Sequence, residues 1–402
     1  MVTSPPKIFV SLRNLARISD YRFVMFSAAF FFLVSAIGHW PNFGASSDIT
    51  YLFWSRTNSN GIPHLTYQVP YVGYVLEYPP VCGLVLWLAG WSSGGSLYVY
   101  TAIVFLILGV FFVLSAHFLY NFLNYLKLDH NLQWIFTIFV PSVVIFGAYN
   151  FDIIQAFFVI LALYWFIAQN KHSSSAAALG LAIGTKLFAA ILIPFLLQDL
   201  RKSKGVKAAT YYALISLGIP DALNIPFALL NFSNWISGYT YLKRWGFEDT
   251  FLIWIFPSPS SWGTAEYVSG GLVLLSVFGI FVFLRDRPLL VRCFLAMGSF
   301  LLFSYISAPQ MNLDLLSFFA LVPIVPLPLF YLFEGSTAAF IALWDSFPNP
   351  RSPGVVQYIA LIRQIALLSI LIVAWKASRQ KNKVAERELP TTIPSKRQAQ
   401  ET

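Results

Sequence analysis

Charge is what this chain holds least of. Asp, Glu, Lys and Arg make up 11% of its 402 residues, whereas a soluble domain carries about 25%, so a water-soluble globule is excluded. Cysteine is nearly absent: Cys82 and Cys293 are too few for a disulfide framework, the topology reasoned below puts them near opposite membrane faces, and no redox chemistry is implied. The five histidines are scattered, with no His, Cys and carboxylate cluster at metal-ligand spacing, so no metal and no cofactor is expected. Glycine loops of the P-loop or dinucleotide type are missing as well. Lys7, Arg13 and Arg17 precede an apolar run without a small-residue cleavage site, and the N-terminus therefore reads as a retained signal anchor.

What is abundant is apolar: 57% of the chain is hydrophobic and 18% aromatic. A bilayer-spanning helix needs about 20 mostly apolar residues. Runs of that kind fall at roughly 23–40, 97–124, 132–149, 151–168, 208–229, 266–284, 289–307 and 355–375. Two further stretches are broken. Residues 173–198 read SSSAAALGLAIG, TK, LFAAILIPFLLQ, and prolines 323, 326 and 328 divide 313–344 into a short helix and a longer one. Counting both as pairs predicts an all-α polytopic membrane protein of about twelve transmembrane segments, some short or re-entrant, with both termini on one side. With that side inside, 20 of the 26 basic residues face the cytosol, so the formal charge of +9 is an orientation signal and not a nucleic-acid footprint. Residues 1–376 form the transmembrane domain, and 377–402 a basic, disordered cytosolic tail. The chain is expected to be multi-pass in a cell membrane, or in the endoplasmic reticulum membrane of a eukaryote.

Sorted by side, the outer face holds Asp48 and Glu77 in the first outer loop, Asp152 with the amide of Asn150 at the outer end of two spans, Glu248 and Asp249 in another loop, and Asp314 near a span boundary. The first outer loop, 41–95, is the longest connection, and long connections tend to be functional. Its mix of aromatics and single charges suits interfacial helices. Asp48 follows the first span directly and is placed for general-base work; Ser-Ser-Asp before an apolar run is also an N-cap pattern. Asp152 reads either as a site residue or as a cap, and His64 either as a ligand or as a solvated loop residue. Lys186 lies inside a broken apolar stretch, where a cation costs roughly 2.5–3.5 kcal/mol. It reads as the tip of a re-entrant hairpin reached from the cytosolic side and able to bind a phosphate, with snorkelling to the interface as the alternative. Arg363, beside Gln364, reads as an interhelix hydrogen-bonding residue. Asn231-Phe-Ser is a glycosylation sequon on the outer side.

An acid just after the first span, Tyr51 three residues on, Gly61 and Pro63-His64, then EYPP at 77–80 resemble the GT-C superfamily of membrane glycosyltransferases. The pattern is most similar to glycosyltransferase family 87, the polyprenyl-phosphate-mannose-dependent mannosyltransferases, and less so to the GPI mannosyltransferase I group. NFD at 150–152, GTKLFAAILIP at 184–194 and SAPQMN at 307–312 extend the resemblance over roughly residues 20–375. It implies a bundle of spans roofed by a catalytic first outer loop, and an inverting transferase that takes its sugar from a lipid phosphate. Asp48 matches the family's catalytic carboxylate. Two features depart from the pattern: a single Asp stands where some relatives have an acid-x-acid pair, and Met311 replaces the usual aromatic after Gln310.

The expected activity is transfer of a hexose, mannose by the resemblance with glucose or arabinose open, from a polyprenyl (dolichyl) phosphate donor to a lipid-linked or glycan acceptor, as in glycolipid biosynthesis. Asp48 is the expected base. Lys186, Arg244 and His64 are expected to bind phosphate, and Glu77, Tyr78, Asn150, Asp152 and Gln310 to line the substrate site, with Tyr51, Tyr78 and Trp245 as aromatics able to stack on sugars. Partners are the donor, the acceptor and membrane lipids, with no nucleic acid. The alternatives are a transporter or flippase of a lipid-linked saccharide, since broken helices with polar residues also mark transporters, and an accessory subunit of a glycosylation complex.

Overall fold

A computed structural model describes residues 20–43, 45–55, 64–241, 246–344, 346–347 and 353–388, the last ten of these by backbone alone. Of the described residues 79% are helical, and no strand occurs among them. Its helices are α1 (Tyr21–Gly38), α2 (Asp48–Ser55), α3 (Pro80–Ser92), α4 (Leu97–Leu126), α5 (Pro141–Phe146), α6 (Asp152–Ile167), α7 (His172–Thr185), α8 (Ile193–Lys204), α9 (Val206–Leu230), α10 (Phe232–Thr240), α11 (Trp262–Phe283), α12 (Leu289–Phe303), α13 (Leu313–Leu321), α14 (Leu327–Trp344) and α15 (Val355–Glu388). Six of them, α1, α4, α9, α11, α14 and α15, are long and apolar enough to cross a membrane, and α3, α6 and α12 are shorter apolar helices. Outward-facing Leu, Phe and Tyr side chains such as Leu214, Leu229, Leu274 and Phe283 are exposed, as expected where lipid replaces water as the solvent.

The run expected at 132–149 is not one helix. A turn at Asn131–Gln133 passes into a π-helical turn at Trp134–Ile138, and α5 starts afresh at Pro141. The physical reason is local: Pro141 has no N–H for the preceding turn, and its ring disfavours helical geometry at Val140, which is extended (φ −136°, ψ 146°). Both broken stretches behave as expected. In the first, α7 ends at Lys186, where the backbone is extended (φ −149°, ψ 127°), and a 3-10 turn at Leu187–Leu192 leads into α8. The 14 residues of α7 reach about 21 Å, short of the roughly 30 Å apolar thickness of a bilayer. In the second, α13 stops at Leu321 and α14 begins at Leu327, across the Pro323 and Pro326 region. Past the expected boundary at 376, α15 continues as helix to Glu388.

Packing puts α6 at the centre: α4, α7 and α13 pack against it, and α9 packs on α7, with every residue of α6 but Phe158, Tyr164, Trp165 and Ile167 largely buried. The bundle has two chemically distinct ends. At one, the ends of α4, α6 and α8 and the starts of α7 and α12 surround a cavity of about 620 Å³ whose polar lining is His172, Lys202, Lys204, Asp199, Asn170 and Ser203, the rest being apolar. Arg292 pairs with Asp199 there, next to the buried thiol of Cys293. At the other end α6 begins, at Asp152, and Lys186 meets it. Cys82, also a free thiol, donates to the Thr185 carbonyl at 3.4 Å on this side. Because α7 starts and α8 finishes at the basic cavity, the broken segment goes in and returns at one end, with Lys186 at its tip.

Candidate functional site

Asp48 stands at the start of α2, but it does not cap it. Ser47 does: its Oγ accepts the Thr50 N–H at 3.2 Å while the Ser47 N–H reaches Thr50 Oγ1 at 3.3 Å, a reciprocal cap. The Asp48 carboxylate is thereby left for other partners. Its Oδ2 accepts the Asn150 amide at 2.6 Å and the Tyr78 hydroxyl at 3.2 Å. The Asn150 amide also lies 3.2 Å from the Tyr78 hydroxyl, closing a three-residue ring. Burial is the main force on Asp48 and lifts its carboxyl from 3.8 to about 7. Glu248 adds to the rise, while Lys186 and the Tyr78 hydroxyl oppose it. Burial likewise holds the Tyr78 hydroxyl well above its usual range, so it stays protonated and donates.

Each member of the ring is braced from behind. Tyr78 sits in the first loop, where Tyr71 donates its hydroxyl to the Tyr78 carbonyl at 2.6 Å. Two glycines permit this. A Cβ on Gly83 of α3 would come within 2.5 Å of the Tyr71 hydroxyl, and one on Gly238 of α10 within 2.1 Å of the Leu76 carbonyl. Asn150 occupies the turn before α6. The preceding Ala148 N–H is held by Ser35 of α1 at 3.0 Å, and Asn150 Oδ1 accepts the Phe151 N–H at 2.5 Å.

Directly behind this ring lies a buried ion pair. Asp152 Oδ1 accepts from Lys186 Nζ, and both residues are buried. Lys186 is held inside against Asp152 and does not extend to the surface, and α6 has no side-chain cap. The third member is Asp314, at the start of α13, within hydrogen-bonding reach of Asp152 and 2% exposed. The sequence puts Asp314 at a span boundary, but nothing in it joins Asp314 to the other two.

Other expected site residues fall elsewhere. Glu77, beside Tyr78, is half-buried. Gln310 is half-buried on the 3-10 turn Pro309–Asn312, and it is Asn312 from that turn that enters a buried network. Asn312 Nδ2 donates to Glu334 Oε1 at 3.1 Å and to Thr337 Oγ1 at 2.8 Å, while its Oδ1 accepts from Arg363 at 2.6 Å. Arg363 pairs with Asp249 at 2.5 Å, and Gln364 holds the same loop through the Asp249 carbonyl at 2.8 Å and the Phe251 N–H at 2.9 Å. The interhelix role expected of Arg363 is thus what the structure has. Glu334 was missed by the sequence reading, although an acid within LPLFYLFEGSTAAF is as anomalous in a span as Lys186. Tyr51 is 55% exposed and lines no buried contact with Asp48. His64 opens a 3-10 turn, but its side chain, Arg244 and Trp245 lie outside the described residues, as do residues 1–19 with their anchor signal and 389–402 of the tail. At the sequon, the Asn231 amide nitrogen donates to the Val72 carbonyl at 3.0 Å and its Oδ1 accepts the Asn234 N–H at 3.2 Å. Among the described residues no group of three or more His, Cys, Asp or Glu is arranged to hold a metal ion.

The site is therefore a half-buried carboxylate with a near-neutral pKa, two uncharged donors that hold it, and one buried cation behind. Such an arrangement can accept a proton near neutral pH and can attract an anion. No protein-family model matches the chain, and no curated protein matches it.

Proposed function

We propose that this chain is a membrane-embedded inverting glycosyltransferase of GT-C type, with about twelve membrane segments, both termini cytosolic, and its site on the extracytoplasmic side. It would move a hexose, mannose by family resemblance, from a polyprenyl-phosphate donor to a lipid-linked or glycan acceptor. The observation that carries this reading is Asp48: freed from capping duty, held by Tyr78 and Asn150 and raised to about 7. A base poised near the working pH contributes typically 10²–10⁴ to rate. In the reaction Asp48 takes the proton of the acceptor hydroxyl as its oxygen bonds to the anomeric carbon. The bond from that carbon to the phosphate oxygen breaks, and polyprenyl phosphate leaves with its electron pair and needs no acid. Lys186 supplies positive charge where the phosphate departs, and the polyprenyl tail lies against the apolar spans.

The direct test is incubation of the purified protein with a labelled polyprenyl phosphosugar and a panel of acceptors. Sugar transfer that disappears in Asp48→Asn supports the reading, and undiminished transfer in that variant removes Asp48 as base. A second reading, a transporter or flippase of a lipid-linked saccharide, draws on the buried charges beside broken helices, Lys186 at the tip of α7 and the Arg363 and Glu334 network. Movement of the labelled lipid across a vesicle bilayer without any transfer would favour it.

A further inference from the structure

Asp152 and Asp314 meet in the protein interior with too few hydrogens between them. Asp152 Oδ2 and both oxygens of Asp314 are buried without a donor partner, although the two side chains are within hydrogen-bonding reach of each other. One helical turn beyond Asp152, on the same face of α6, Gln155 is fully buried with both ends of its amide unpartnered. A buried polar group left unmatched is costly, and two facing carboxylates cannot satisfy each other unless one carries a proton. The groups around them are few. Lys186 faces the pair from the α7 break, Asp48 and Tyr78 from the first loop, and Cys82 from α3. Lys186 is the cation among them. With one proton shared between the acids, Lys186 and the pair are together neutral.

We propose that Asp152 and Asp314 are a proton-holding pair, and that an anionic phosphodiester takes Lys186 from Asp152 only as the pair gains a second proton. This deepens the transferase reading by making a proton the co-ligand of the donor, and it rests on that reading for the identity of the anion. The balance is simple. The resting pocket holds one cation and one net negative charge; the incoming phosphodiester brings another, and one proton restores neutrality. Charge left uncompensated in a buried site is what the protein avoids. Where one proton is taken up with each diester, binding should therefore weaken by about tenfold for each unit of rising pH, by linkage.

The experiment uses full-length protein in weakly buffered detergent, with a polyprenyl phosphosugar and no acceptor; this diester carries one negative charge that does not titrate near neutral pH. Asp48 could itself take up a proton, so the measurement is made in Asp48→Asn, which also prevents turnover. The expected result is uptake of about one proton per diester bound, lost in Asp48→Asn/Asp152→Asn while diester binding persists and becomes insensitive to pH. Infrared spectroscopy gives a readout independent of any ligand: in the difference spectrum between Asp48→Asn and Asp48→Asn/Asp314→Asn at neutral pH, a protonated-carboxyl carbonyl band present in the first and missing from the second. Diester binding without proton uptake, absence of that band, or unchanged uptake without Asp152 would overturn the proposal. Sugar transfer by the wild type with no proton uptake on binding would sink this inference alone. Proton-coupled binding without transfer to any acceptor would sink the transferase reading alone.

Discussion

At Asp48, burial that prepares the base also makes its charge costly. Its folded pKa of about 7 lies above the ordinary 3.8, so the folded state binds the proton more tightly, and stability falls as pH rises from about 4 through 7. Asp48→Asn is therefore expected to melt a few degrees higher than the wild type at pH 8, with the gap closing toward pH 4, while transfer drops by about 10²–10⁴. Thermal melts across pH, read beside a transfer assay, check both halves. In the wild type the rate at saturating donor should climb as pH passes about 7 and level off above it. Lys186 carries the opposite lesson. Lys186→Met leaves Asp152 buried without its cation and should cost about 3–5 kcal/mol. Replacing both, Lys186→Met with Asp152→Leu, should recover most of that stability while donor use stays weak. A double-mutant cycle on melting, with donor KM measured in parallel, separates the ion pair's structural worth from its part in binding.

Among the elements, α10 acts on chemistry it never touches. Its Gly238 lies so close to the Leu76 carbonyl that an added methyl must push the loop carrying Glu77 and Tyr78. Gly238→Ala is expected to lower kcat by about tenfold, the equivalent of roughly 1.4 kcal/mol, with α10 still folded. Steady-state kinetics beside circular dichroism would show whether the helix survives while the rate falls. The break at Lys186 and the division of 313–344 were legible because Gly-Thr-Lys and the prolines are local signals. The interruption of 132–149 has its local signal too, in Pro141, within a run whose apolar content by itself suits a single span. The reciprocal cap of α2 was half legible: Ser-Ser-Asp marks a helix start, yet the pattern does not say which of the three accepts the N–H. Gln310 drew attention by resemblance, while Asn312, two residues on, forms the buried contacts.

Over the whole molecule, the acids of the site and the cations of the 620 Å³ cavity sit at opposite ends of α6, which makes orientation testable. Single cysteines replacing Ser46 and Ser203, both exposed, should react with a membrane-impermeant maleimide from opposite sides of sealed vesicles. The native Cys82 and Cys293 are buried and should stay unlabelled. Labelling of both from one side would refute the proposed topology.

Which segments are apolar, where they break and which end collects positive charge are properties of neighbouring residues, and the sequence alone determined them. The site is of another kind. Asp48 meets Asn150 across 102 positions, Lys186 meets Asp152 across 34, and Asp314 joins them only because α13 packs on α6. The sequence could nominate Asp48, Asp152 and Lys186 as anomalies in an apolar chain, but their bonding, and the shortage of hydrogens between Asp152 and Asp314, arise when helix packing excludes water. Only the tertiary structure decides which buried polar groups find a partner.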